Sequence, residues 1–226
     1  MSNALSSIES LENNLEMNFE LFEPDYKENI LPCDGVVKDF GLILNTEQSE
    51  KYLQYFLQHL AWKNDEVHLH GKYFKTDRKI AWYGDEHFQY QYSGTLKEAL
   101  VWNAGLFRLK KHIEQLVGHS FNSCLANLYE NGTQGMGWHS DNELALSPKT
   151  GEETVIASLS FGATRKFSFK HKFKDHKVDM LLQSGQLIVM RGQTQKYWKH
   201  ALMKSTRILE PRVNLTFRYF YPNSEA

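Results

Sequence analysis

Two histidines and an aspartate in this chain are spaced so that they could hold one metal ion. In the segment Gly135-Met136-Gly137-Trp138-His139-Ser140-Asp141-Asn142-Glu143, an imidazole and a carboxylate stand two positions apart. Residues i and i+2 of extended backbone point the same way, so His139 and Asp141 can approach the same cation. A third ligand is offered by His200, 59 residues beyond Asp141 and just after Tyr197-Trp198. Two imidazoles and one carboxylate that leave open positions suit a non-haem Fe(II) centre. The plain alternative is a surface His–Asp hydrogen bond with an unrelated His200, and H-x-D taken alone does not decide between them. His112 and Glu114 offer similar chemistry, but they fall in a predicted helix, where i and i+2 do not face each other.

The last apolar run adds a second kind of chemistry. In Arg212-Val213-Asn214-Leu215-Thr216-Phe217-Arg218, alternation puts Arg212, Asn214, Thr216 and Arg218 on one face and Val213, Leu215 and Phe217 on the other. Two guanidiniums with an amide and a hydroxyl between them suit a small dicarboxylate, because the planar Arg fork binds carboxylate bidentately. Asn127 and Tyr129 alternate with Leu128 in the same way. The alternative is an antiparallel strand whose polar face looks at water.

These side chains need a rigid frame, and the rest of the chain is built to supply one. With 226 residues, 41% apolar and 23% charged, the composition is that of one globular domain and excludes disorder, collagen and disulfide-dense scaffolds. No run approaches 18 apolar residues, so no membrane span is expected. Residues 1–26 lack Lys, Arg and a continuous apolar core, which argues against a secretory signal and for an intracellular protein, cytoplasmic in a bacterium and nuclear in a eukaryote. Cys33 and Cys124 fit reduced thiols. The net charge of −1 is not that of a polybasic coat.

Residues 1–40 form an expected acidic extension, in which Leu5, Ile8, Leu11 and Leu15 suit a short amphipathic helix. Asn45 and Gln48 predict a capping box ahead of a helix over 46–61, and a second helix is expected over 96–117, with Leu100, Leu109, Ile113 and Leu116 as its stripe and Gly118 as its stop. Strands are expected near 79–83, 87–92, 123–130, 154–161, 164–170, 178–183, 186–190 and 213–220. Helices followed by many short strands predict an α+β fold whose C-terminal half is a β-sandwich or jelly roll, and one domain over 41–226.

Taken in order, Asn127-Leu128-Tyr129 with Gly132, His139-Ser140-Asp141-Asn142-Glu143, Ser158-Leu159-Ser160-Phe161-Gly162-Ala163, His200-Ala201-Leu202 and Pro211-Arg212-Val213-Asn214-Leu215-Thr216-Phe217-Arg218 resemble the AlkB family of Fe(II)- and 2-oxoglutarate-dependent dioxygenases, its animal-type DNA-repair branch above all. The likeness runs from about residue 65 to 220. It implies a double-stranded β-helix core, with His139, Asp141 and His200 as iron ligands. Arg212, Tyr129 and Asn214 would grip the distal carboxylate of 2-oxoglutarate, and Asn127, Thr216 and Arg218 would line the same pocket, Arg218 toward the metal side. The implied reaction uses Fe(II), 2-oxoglutarate and O₂ to demethylate bases of the 1-methyladenine and 3-methylcytosine type in DNA, with RNA an open alternative. Succinate, CO₂ and formaldehyde would be released. The implied partner is nucleic acid, met by a monomer away from membranes.

The resemblance also implies a nucleotide-recognition lid at about 65–95. Its runs here are Arg78-Lys79-Ile80-Ala81-Trp82-Tyr83-Gly84-Asp85 and Tyr90-Gln91-Tyr92-Ser93-Gly94. Tyr92 would stack on a flipped base against His139, with Tyr90 and Asn142 holding it. Tyr90 and Tyr92 could equally pack on the core as an ordinary strand face. Leu69-His70-Gly71-Lys72 takes the place of a duplex-wedging hairpin, and His70 stands where the duplex-acting relatives carry an apolar wedge. That departure predicts a preference for single strands. Between Arg165 and Lys174, Lys alternates with Phe, which suits one face in the core and one facing phosphates, or simply a solvated face. Two other classes stay open: a dioxygenase of the same fold acting on protein or a small molecule, and a non-catalytic jelly-roll binding module.

Overall fold

The computed structural model describes residues 28–69, 72–92, 95–146 and 153–221. Two sheets and a helical layer stack in three tiers. The large sheet runs β1 (Val36–Leu42), β12 (Gln186–Arg191), β9 (Val155–Gly162), β14 (Arg212–Arg218), β7 (Ser123–Tyr129), β3 (Lys72–Gly84) and β2 (Lys63–Leu69), with the short β6 (Leu100–Val101) beside β3. The small sheet runs β11 (Lys177–Leu182), β10 (Arg165–His171), β13 (Trp198–Leu202) and β8 (Met136–His139). A separate hairpin pairs β4 (Gln89–Tyr92) with β5 (Thr95–Glu98). The expected jelly-roll core of an α+β domain is thus present.

Alternation along β14 decides which tier each side chain enters. Val213, Leu215 and Phe217 are fully buried against α1 (Thr46–His59) and α2 (Ala104–Val117), in a core that includes Tyr52, Leu53, Phe56, Leu106, Leu109 and Ile113. The opposite face of the large sheet meets the small sheet. There Val37, Ile156, Ile188 and Met190 pack on Phe169, Leu182 and Trp198.

The helices begin where their caps dictate. Asn45 accepts from the Gln48 backbone N–H while the Gln48 side chain accepts from that of Asn45, so α1 starts at Thr46 as expected. The second helix is shorter than the expected 96–117. Asn103 accepts from Gly105 and Leu106 N–H and sets the start at Ala104. Residues 95–98 and 100–101 go instead to β5 and β6, and Leu100 is exposed rather than part of the helical stripe. At the far end Gly118, with φ of 67°, closes the helix in the left-handed region.

Residues 28–40 belong physically to the domain, although the expected extension reached to residue 40. Leu31 and Val37 are buried, and β1 pairs with β12. The amphipathic turn at Leu5–Leu15 lies outside the described residues. Cys33 and Cys124 are free thiols, as expected.

Candidate metal and cosubstrate site

The open end of the space between the two sheets is a cavity of about 220 Å³. Its floor is written in the register of the large sheet. Asn127, Asn214 and Ser160 lie side by side on β7, β14 and β9, as do Leu125, Thr216 and Ser158 one row along. Arg212 stands opposite Tyr129, and Arg218 opposite Ser123. All six residues expected to bind the cosubstrate (Asn127, Tyr129, Arg212, Asn214, Thr216 and Arg218) line the cavity.

The roof comes from the small sheet, where His200 on β13 pairs directly with His139 on β8. Asp141 follows in the next turn, held by its backbone N–H, which donates to Gln195 Oε1 at 2.8 Å. Donor atoms of His139, Asp141 and His200 lie within 4.8 Å of one another. His139 Nδ1 donates to the Gly137 carbonyl at 2.8 Å, which turns Nε2 toward the site, 3.6 Å from Asp141 Oδ1. Burial holds His200 neutral, with its pKa pushed down to about 3. Burial alone would raise the Asp141 carboxyl, but Arg218, at 3.2 Å, and the two histidines outweigh it and hold it below the usual carboxylate range. A neutral His200 beside an ionised Asp141, with His139 as the third donor, suits a divalent cation.

A second trio, Cys33, Asp34 and His171, also lies within 4.8 Å, yet its hydrogen bonding argues against a metal. His171 Nδ1 accepts from the backbone N–H groups of Phe173 and Lys174 at 3.0 and 2.8 Å, so its proton sits on Nε2 and points at Asp34. The Lys174 ammonium also bonds to Asp34, supplying the positive charge there. That trio pins the N-terminal turn to the β10–β11 turn.

Arg212 is the clearest sign of an awaited anion. It is 2% exposed, donates from Nη2 to Ser160 Oγ at 2.8 Å and stands over the Tyr129 ring at 5.8 Å. Its Nε has no hydrogen-bond partner among the described residues, and no carboxylate there pairs with it. Burial pushes its pKa down to about 10. A buried guanidinium left short of acceptors fits a carboxylate that arrives from outside.

Several residues of the cavity were given no part in the metal or cosubstrate site by the sequence. Asp65 on β2 forms a buried ion pair with Arg78 on β3, and Arg78 also donates to Asn127 Oδ1. Phe167 stacks on His200 at 5.5 Å between ring centroids. Trp82, Leu146 and Phe220 give the cavity an apolar arm.

The expected base-binding set is less gathered. Asn142 is exposed and is not among the cavity-lining residues. Tyr90 and Tyr92 lie on β4 and Lys72 opens β3, but their side chains, with His70 and Gly71, lie outside the described residues. The Lys/Phe alternation from 165 to 171 does put Phe167 and Phe169 inward and Lys166 and Lys170 outward. Arg165 is a correction to the phosphate reading. It is 1% exposed and donates to the carbonyls of Gln134 and Met203, both at 2.7 Å. Its position at the strand start, facing the turn at 131–134, makes it a brace for that turn.

Residues 40–218 match the model of the 2OG-Fe(II) oxygenase superfamily. The chain is 37% identical over 190 residues to human Alpha-ketoglutarate-dependent dioxygenase alkB homolog 3, covering 80% of this chain and 64% of the relative. It is 33% identical over 221 residues to mouse DNA oxidative demethylase ALKBH2, covering 91% and 88%. The chain therefore spans slightly under two thirds of the human relative's length. Among solved structures, that of OsALKBH1 superposes with a TM-score of 0.55 over 84% of this chain and 98% of that one. At 16% identity this likeness speaks for the fold.

Proposed function

This chain belongs to the 2OG-Fe(II) oxygenase superfamily, among its AlkB homologues, and from that premise we propose that it demethylates N-alkylated bases of the 1-methyladenine and 3-methylcytosine type in DNA. The cofactor set of the superfamily is Fe(II), 2-oxoglutarate and O₂, and the donor chemistry of the cavity fits it. When bound, the metal would supply hydroxylation of an N-methyl C–H bond, with O₂ as the oxidant and 2-oxoglutarate oxidised alongside to succinate and CO₂. The hydroxymethylated base then falls apart to formaldehyde and the repaired base.

In this reading His139 Nε2, Asp141 and His200 hold the metal. Arg218 keeps Asp141 ionised and orients its second oxygen. Arg212 grips the distal carboxylate of 2-oxoglutarate, with Tyr129 and Asn214 beside it, and Asn127 and Thr216 complete the floor. Phe167 shields the His200 side from water. A methylated base inside a duplex cannot reach this depth, so it enters flipped or from a single strand, with Tyr92, Tyr90 and Asn142 as its contacts. His70, between Leu69 and Gly71 in the sequence, is a less apolar wedge than the duplex-acting relatives carry, which favours single-stranded over duplex substrate. Every site residue comes from one chain, so a monomer suffices, acting in whichever compartment holds the DNA.

The observation that carries the proposal is the metal trio meeting the underpaired Arg212 across one cavity. Formaldehyde release from matched single- and double-stranded oligonucleotides bearing 1-methyladenine tests it. The expected result is iron- and 2-oxoglutarate-dependent release, faster on the single strand. Turnover of 2-oxoglutarate on a protein or small-molecule substrate with none on either oligonucleotide contradicts the proposal.

A further inference from the structure

The outer face of the small sheet, turned away from the cavity, carries an arrangement of charge that folding does not explain. Along β10 and β13, Phe167, Phe169, His200 and Leu202 point inward, so Lys166, Lys170 and Lys199 point out. The register sets Lys170 directly opposite Lys199 on one side and Lys177 on the other. Three ammonium-bearing side chains thus stand in one row across three strands, at a strand spacing of about 4.8 Å. Like charges directly opposite one another destabilise a sheet, and these lie well inside one Debye length.

Compensation within the face is incomplete. Asp179 accepts from Lys166 at 2.8 Å and from Lys177 at 3.2 Å, as well as from Ser168. Lys170 and Lys199 have no carboxylate partner among the described residues. Lys172 adds to the crowding: burial and the nearby Lys199 both lower its pKa. On β8, the edge strand beside β13, Trp138 is 39% exposed and one residue from His139.

We propose that Lys170, Lys199 and Lys177 form a docking row for the phosphodiester backbone of the substrate strand where it runs on, past the edge strand β8, from the base held in the cavity. The inference rests on the nucleic-acid reading given above. Charge complementarity commits the row to a polyanion. Continuity selects the substrate strand itself, because Lys199 and His200 are consecutive on β13 and Trp138 and His139 are consecutive on β8. Trp138 offers a flat surface on which a flanking base can stack between cavity and row, a sequence-tolerant contact of the kind single-strand binders use. Lysine suits a backbone contact that positions the strand without reading its sequence.

The test is anaerobic binding of a fluorescent single-stranded oligonucleotide across a salt series, with formaldehyde release measured in parallel on a methylated trinucleotide. Each phosphate contact on a single strand contributes about 0.7 to the slope of log affinity against log salt, so Lys170→Gln/Lys199→Gln should flatten that slope by about 1.4. A Lys51→Gln/Lys111→Gln control on the helices removes the same charge and should leave the slope near wild type. Trinucleotide turnover should be unchanged, because so short a substrate does not reach the row. An unchanged slope, or one altered equally by the control, overturns the docking row and leaves a solvated face or a different acidic partner. A matching loss of trinucleotide turnover overturns it too, since the lysines would then act on the cavity. If wild-type protein releases no formaldehyde from either substrate while the slope flattens as expected, the demethylase reading fails and the row stands.

Discussion

Arg212→Met should make the ligand-free protein more stable while destroying its affinity for 2-oxoglutarate. The residue is 2% exposed, and among the described residues the one hydrogen bond of its guanidinium goes to Ser160. Burial lowers its pKa from 12.5 to about 10, which corresponds to about 3 kcal/mol against the charged form. Methionine fills a similar volume without that cost. Losing the donor to Ser160 returns about 0.5–1.5 kcal/mol of it. The net expectation is about 1–3 kcal/mol of added stability without ligand. Arg212→Lys keeps the charge but loses one of two charge-assisted bonds to a carboxylate. That is worth about 1.5–3 kcal/mol, or roughly 10- to 150-fold in affinity. Chemical unfolding with and without 2-oxoglutarate reads both effects in one experiment. Wild type should gain stability from the ligand, Arg212→Lys should need far more ligand for the same gain, and Arg212→Met should gain nothing. A ligand-free Arg212→Met protein less stable than wild type refutes the view that this arginine is held at a cost for an incoming anion.

Other consequences follow from the same geometry. The Glu114 carboxylate is raised by burial but lowered further by the Phe121 N–H, Lys111 and Lys110, so its folded pKa lies below the usual 4.5. Its stabilisation should be present above that value and lost as pH falls through the lower folded one. The unfolding-midpoint gap between wild type and Glu114→Gln should accordingly be full at pH 7 and close in acid. Arg165→Lys should cost about 2–4 kcal/mol by denaturant unfolding, because a single ammonium cannot serve the carbonyls of Gln134 and Met203 and brace the turn together. Gly132→Ala should be worse still, since a Cβ there would overlap the Ser205 carbonyl oxygen; a soluble variant with a wild-type midpoint would contradict that packing. His70→Phe should raise formaldehyde release from duplex more than from single strands, and an equal response on both removes the wedge argument.

The site was legible in the sequence where its chemistry is local or periodic. The two-residue step from His139 to Asp141 and the alternation of β14 each put their side chains on one face, and the tiers formed accordingly. Parts that depend on distant pairing were not legible. Asp65 and Arg78 meet only because β2 and β3 form one hairpin, and β1, β8 and β13 lack a strong alternating pattern of their own. Arg165 looked like one more surface charge in a basic run, because nothing local reveals that four carbonyls converge on it. The lysine row needed the register: Lys170, Lys177 and Lys199 are neighbours only once three strands are aligned. The early start given to the second helix failed because the Asn103 cap outweighs the apolar pattern upstream.

The most direct test of the account is the stoichiometry of products on a single-stranded oligonucleotide carrying one 1-methyladenine, for wild type and for His139→Ala, Asp141→Ala and His200→Ala. Wild type should yield formaldehyde and succinate one for one with loss of the methyl group. Each variant should yield neither while unfolding as a native protein. Succinate without formaldehyde from wild type, or near-normal yields from any of the three variants, would contradict a demethylase built on His139, Asp141 and His200.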